Sequence, residues 1–180
     1  MDVANATSSD RQAFREATRL AAELEHPGIV MTLAAEDLED GEPIQLTESV
    51  PGHTLATLLE RQAQAGEPMP PGSAARIIRD VTRALSHARD KGIFHVGLSA
   101  REIWVRTDGR VLIAGLGHWR MDRDETEDAA LEQLRTALQN ASQGAVGEEP
   151  ASDSAIERWV LQVGGPTRSA EFAHRMRVRS

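Results

Sequence analysis

Residues 92–117 read GIFHVGLSAREIWVRTDGRVLIAGLG, and the reading of this stretch decides the fold. It begins at Gly92, the residue that ends a helical pattern. That pattern opens at the cluster Pro70-Pro71-Gly72-Ser73 and runs to Lys91, with Ile77, Ile78, Val81, Leu85 and Ala88 facing a core. Farther upstream, Ser9-Asp10-Arg11-Gln12 has the form of a capping box, and Phe14, Ala17, Leu20, Ala21 and Leu24 follow at helical spacing. Residues 29–34 and 43–47 are predicted short strands, joined into a hairpin by an acidic turn over residues 37–41. Residues 54–65 are predicted as a short helix. Downstream, residues 125–140 read as a helix through Leu131, Leu134 and Leu138, and residues 141–152 as a linker of Gly, Glu, Ser and Pro. Two last helices are predicted, one around Ile156, Trp159, Val160 and Val163, the other over residues 170–176. No internal repeat is visible.

Composition narrows the classes of function. The chain has 180 residues, one domain by the usual prior, with 40% hydrophobic but only 3% aromatic residues. Its interior must therefore be built from Ala, Leu, Ile and Val, and Trp104, Trp119 and Trp159 carry unusual packing weight. The net charge of -8 argues against nucleic acid as a partner, since a phosphate backbone calls for a basic face. With no cysteine there are no disulfides and no thiolate metal sites. The polar start lacks the apolar core of a secretory signal, and no apolar run reaches the length of a bilayer span, so membrane insertion is not expected. A cytoplasmic protein is the expectation.

The spacing of residues 92–117 resembles the catalytic centre of protein kinases, which is written as a helix, a G-I-H-R-D-L-K-P-x-N-I loop, a strand, a D-G turn, a second strand and D-F-G. His95 stands at the loop histidine, Leu98 and Ile103 at apolar positions, Asp108-Gly109 at the turn, and Gly115-Leu116-Gly117 at D-F-G. The match has no gap. Upstream, Phe14-Arg15-Glu16-Ala17 through Leu24-Glu25-His26-Pro27-Gly28-Ile29-Val30 resembles helix C of bacterial Ser/Thr kinases and the H-P-x-I-V strand entry. The segment from Pro43 to Leu55 resembles the hinge, with Thr47 at the gatekeeper and Glu48 to Val50 where backbone groups meet adenine. Thr167-Arg168-Ser169-Ala170-Glu171-Phe172-Ala173 resembles the R-P-S-A-x-E-x-A ending.

The resemblance implies an α+β, protein-kinase-like fold in one truncated domain over residues 1–180. Residues 1–50 are then a remnant small lobe and hinge, helix C plus a short hairpin, and residues 51–180 a reduced, mostly helical large lobe. It also implies degenerate catalytic positions: the loop arginine has become Val96, the aspartate Gly97, the lysine Ser99, the asparagine Glu102 and the D-F-G aspartate Gly115. The helix C glutamate falls on Ala17. Only thirteen residues precede Phe14, none of them glycine, and the single lysine, Lys91, closes a later helix. The glycine-rich loop and the strand with the ATP-binding lysine are therefore expected to be missing. Phosphoryl transfer needs charge neutralisation by metal ions and a lysine, and one such group is worth roughly 10³–10⁵ in rate. On this ground the expectation is no enzyme, with no catalytic residue, no cofactor and no metal.

Each candidate residue also has an ordinary reading. His95 is expected as a core histidine in a stacked spine with Leu116, ahead of a pH-sensitive or metal-binding role. Glu102 is one carboxylate without neighbouring ligands, a poor Mg²⁺ or Ca²⁺ site. His26, His118 and His174 have no metal-ligand spacing. The acidic run over residues 122–128 is a solvated loop in which Thr126 is a candidate phosphorylation target. An aspartate of the kinase central helix corresponds to Glu127 or Asp128.

Two classes of function follow. In the first, the chain is a catalytically inactive pseudokinase scaffold in Ser/Thr phospho-signalling. Its protein partner is then an active Ser/Thr kinase, a phosphothreonine-reading domain or a second copy, because a lone hairpin leaves a sheet edge uncovered. In the second, it is a nucleotide-binding or atypical Ser/Thr protein kinase with residual, weak ATP binding at Thr47, Glu48 and Val50.

Overall fold

The computed structural model describes residues 8–39, 41, 43–66, 69–95, 97–117, 127–142, 150–164 and 173–174. Helix α1 (Ser8–Ala21) comes first, followed by strands β1 (Thr32–Asp37), β2 (Pro43–Thr47) and β3 (Gly52–Thr54). Helices α2 (Leu55–Ala65) and α3 (Ser73–Asp90) lead to the hairpin β4 (Ile103–Arg106) and β5 (Val111–Ile113). Helices α4 (Glu127–Ala141) and α5 (Asp153–Gly164) and the short strand β6 (Ala173–His174) complete the order. This is the α+β layout that the resemblance implies, helix-rich with a reduced small lobe.

Local chemistry accounts for the element ends. Thr54 caps α2 by accepting the Thr57 N–H at 3.2 Å, satisfying one of the free donors of the first turn. Helix α3 closes with the Gly92 N–H donating to the Arg89 carbonyl at 2.8 Å and the Ile93 N–H to the Ala88 carbonyl at 2.9 Å. That pair of bonds is a Schellman closure, and it turns the chain into residues 92–117 with Ile93 packed in the core.

Two three-stranded sheets result. One has the order β3-β4-β5, all antiparallel, with His53 opposite Val105 and Trp104 opposite Leu112. The other has the order β1-β2-β6, with Ala35 opposite Gln45 and Gln45 opposite His174. A parallel bridge between Ile29 and Ile113 joins the segment before β1 to β5. The main core lies between α3, the inner faces of β4 and β5, and α2, α4 and α5. Its fully buried members include Leu55, Ile77, Ile103, Ile113, Leu138 and Ile156. A second, smaller cluster of Val30, Val50, Trp104 and Leu112, with Ala114 against it, sits between the lobes.

Several expectations change. The first strand starts at Thr32 rather than at residue 29, because residues 28–30 are spent on β5: Val30 donates to the Ile113 carbonyl and Ile113 to the Gly28 carbonyl, both at 2.9 Å. Residues 173–174, predicted within a last helix, form β6, because the open edge of β2 offers unpaired backbone groups. The hairpin is therefore not two-stranded, and one of its edges is covered by the chain itself. Residues 118–126, with His118, Trp119 and Thr126, lie outside the described residues, as do 143–149 of the linker.

Candidate functional site

A cleft of about 360 Å³ opens between the lobes, a volume within the usual range for small-ligand sites. Val30, Val50, Trp104 and Ala114 make its apolar floor; Thr47, Glu48, Arg101, Glu102 and Gly115 stand at its rim, with Thr54 and Thr57 from the start of α2. Strand β2 brings Thr47 here, the loop after α3 brings Arg101 and Glu102, and the end of β5 brings Gly115. Thr47, Glu48, Val50, Glu102 and Gly115 thus meet at one cleft, whereas Gly97, Ser99, His95 and Leu116 are not among its lining residues.

At the hinge, Glu48 is already engaged. Its N–H donates to the Met31 carbonyl at 2.9 Å, and its carboxylate accepts the Met31 N–H at 3.0 Å. It extends the β1-β2 ladder by one more pair, so its backbone donor is not open to a ligand.

In the loop, the Ser99 hydroxyl donates to the Glu102 carboxylate, and the Glu102 carbonyl accepts the Ala114 N–H at 2.7 Å. Arg101 is exposed and has no ion pair among the described residues. Gly97 and Gly115 hold φ of 77° and 79°, in the left-handed region that disfavours any residue with a Cβ. No group of three potential ligands for a metal occurs among the described residues. A lone Glu102 carboxylate, already accepting a hydroxyl, does not fit as a protein-built metal site.

His95 is 2% exposed, and its Nε2 lies 2.8 Å from the Ala114 carbonyl. Leu116, two residues beyond Ala114, is equally buried. The His95 N–H donates at 2.9 Å to the Glu127 carboxylate, which also receives Arg89. Hydrogen bonding to Glu127, with a further contribution from Asp128, holds the Arg89 guanidinium above its ordinary range. Of the two acids left open by the sequence, Glu127 is the one that reaches the loop.

Two features of the site had no sequence signal strong enough to find them. Gln45 on β2 is 1% exposed; its amide N–H donors go to the Thr32 hydroxyl at 2.8 Å and the Leu116 carbonyl at 2.9 Å, tying the hairpin to residues 115–117. Its Oε1 is buried without a hydrogen-bond partner, and Gln45 is one of the residues that line the cleft. Gly117, at φ 87°, lies so close to α1 that an added Cβ would stand 2.7 Å from the Ala17 carbonyl oxygen. Helix α1 thus presses directly on the turn beneath the cleft.

The family model described as protein tyrosine and serine/threonine kinase matches residues 2–141. The chain is 29% identical over 116 residues to the serine/threonine-protein kinase PknB of Mycobacterium leprae, covering 63% of this chain and 18% of that protein. It therefore spans less than a fifth of that relative. Among solved structures, the PknI kinase domain of Mycobacterium tuberculosis superposes with a TM-score of 0.62 at 21% identity, over 88% of this chain and 69% of that one. A single-residue mutant of the same domain gives 0.63 at 21% identity, over 85% and 66%. These structural likenesses concern the fold. The comparisons correct the expectation of no enzyme: the matched family and the named relative are kinases.

Proposed function

We propose, from the premise that the chain belongs to the protein tyrosine and serine/threonine kinase family, that it is an atypical Ser/Thr protein kinase domain whose inter-lobe cleft binds an adenine nucleotide. The observation that carries this reading is the cleft itself, apolar at its floor, polar at its rim and sized for a heterocycle. Val30, Val50 and Trp104 would cover the faces of the base, and the unpartnered Gln45 Oε1 is an acceptor for an N–H of the ligand. Arg101 at the mouth is a cation for the phosphates, with a planar fork suited to their oxygens. A nucleotide brings its own Mg²⁺ and phosphate oxygens, and the metal supplies charge neutralisation when bound. Residues Arg101 and Glu102 then orient the phosphates and the incoming hydroxyl, in place of side chains at 97 and 115.

The test is a melting curve with and without Mg²⁺-ATP, followed by radiolabel transfer to a protein substrate. Ligand a hundredfold above its Kd stabilises the folded state by about 2.7 kcal/mol, roughly 5–10 °C for a chain of this size. The shift should shrink in Arg101→Gln and vanish when Val50→Arg fills the floor. No shift at millimolar Mg²⁺-ATP would overturn the reading.

A protein partner is a second part of the proposal. Strand β1 is an edge strand, and Leu33 on it and Met31 beside it are 57% and 49% exposed. Such an edge accepts an added strand. Charged substitution at Leu33 should abolish capture of that partner without moving the ATP-dependent shift.

A further inference from the structure

Away from the cleft, the outer faces of α3 and α4 enclose a groove of about 420 Å³, and it shares no residue with the nucleotide site. Its apolar floor is Ile78 and the half-buried Ala75, over the fully buried Leu138, and three arginines line it: Arg79 and Arg83 from α3 and Arg135 from α4. Arg79 and Arg83 are one helical turn apart, so they share a face.

The charge around them is not balanced. Asp80 is shared, one oxygen taking the Nε and Nη2 of Arg79 at 3.0 and 2.9 Å and the other taking Arg76, which also holds Asp153. Glu132 stands 3.9 Å from Arg135, at the limit of an ion pair. Arg83 is exposed and has no ion pair among the described residues. Thr82 also lines the groove, and its hydroxyl is buried without a hydrogen-bond partner. Three guanidinium groups and an unused hydroxyl thus border an apolar floor, on a chain whose net charge is -8.

We infer that this groove docks an anionic peptide segment of a partner protein, one apolar side chain seated on Ile78 and Ala75 and its carboxylate or phosphate oxygens held by Arg79, Arg83 and Arg135. Arginine is the residue whose donor fork matches both anions. The apolar floor explains why a peptide, rather than a bare anion, is the occupant. The overall acidity of the chain disfavours a long polyanion, whereas a short segment meets only the local positive field.

The experiment uses the full chain and short fluorescein-labelled peptides read by anisotropy. One peptide carries glutamates around a leucine, a second has phosphothreonine in place of one glutamate, a third has glutamines instead, and a fourth has alanine for the leucine. Both anionic peptides should bind, the stronger of them identifying carboxylate or phosphate as the source of the charge. The glutamine peptide should not bind, and the alanine peptide should bind about tenfold more weakly, as expected for one buried leucine. The Arg83→Glu variant, altered at an exposed position, should weaken binding about tenfold, and Arg79→Glu/Arg83→Glu/Arg135→Glu by a hundredfold or more. Melting curves with Mg²⁺-ATP should be unaffected by Arg83→Glu, which separates this site from the cleft. Equal binding by Arg83→Glu and the parent would overturn the inference. So would competition by inorganic phosphate as strong as by the peptides, or a concentration-dependent dimer lost in the triple variant, which would make a second copy the occupant.

Discussion

Replacing Glu127 by alanine tests whether one buried carboxylate holds the loop of residues 92–117 against the helical lobe. Its side chain is 7% exposed, and it accepts the His95 N–H at 2.9 Å while Arg89 approaches from the other side. In the alanine variant Arg89 keeps Asp128, 3.2 Å away and itself 82% exposed. The His95 N–H loses its carboxylate acceptor in a residue only 2% exposed, where water is a poor substitute. Taking the acceptor from a buried donor costs about 1–3 kcal/mol, and loss of a first-turn acid about 0.3–1 kcal/mol more. Together these give roughly 1–4 kcal/mol, a fall in Tm of about 3–15 °C for a chain of this length. Glu127→Gln retains an acceptor for the N–H and should lose only about 1 kcal/mol. Asp128→Ala, which removes an exposed first-turn acid but no acceptor of a buried N–H, should lose only about 0.3–1 kcal/mol. Urea unfolding followed by tryptophan fluorescence measures all three. If Glu127→Ala and Asp128→Ala unfold at the same urea concentration, the carboxylate does not hold the loop and the argument fails.

Two further predictions concern the packing of α1 and the effect of pH. Gly117→Ala places a Cβ 2.7 Å from the Ala17 carbonyl oxygen and 2.9 Å from the Ala21 methyl, at φ 87°, and should cost about 2–4 kcal/mol. Gly66→Ala, at φ 70° with nothing within 4 Å, is the control and should cost about 1 kcal/mol; equal losses by urea unfolding would disprove the close approach. His26 stacks on His87 with ring centroids 5.0 Å apart, and burial, then the charge of His87, push its pKa below the ordinary 6.5. The unfolded chain therefore takes up a proton near pH 6.5 that the folded chain refuses until the pH is lower. This contribution to stability is intact above about pH 6.5 and declines as pH falls through the window below it. Melting curves from about pH 8 to 5.5 should show a shallower decline in His26→Gln, and an unchanged slope would refute the assignment.

Much of this was legible in the chain. The helical spacing of Ile77, Val81, Leu85 and Ala88 is a local property, as are the turn at Asp108-Gly109 and the Gly92 stop, so α3 and the β4-β5 hairpin could be placed from residue order. The family resemblance placed Glu102 and Gly115 in that stretch and Thr47 and Val50 at the hinge, and all four line one cleft. The expectation of no enzyme, drawn from single replaced positions, is at odds with a match to a kinase family that extends over residues 2–141.

What residue order left open was decided by contacts between distant segments. Glu127 and Asp128 are chemically near-equivalent neighbours; only the packing of α4 against α3 turns the first toward His95 and the second into solvent. Gln45 reads as a polar residue in a strand, yet it is buried because β1 and residues 115–117 close over it. Strand β6 pairs with β2 from the far end of the chain, a partnership that two residues cannot encode by themselves. Periodicity and turn chemistry act over a few residues and are written in order along the chain. Burial and long-range pairing depend on which surfaces meet, and that is settled only once the whole chain has folded.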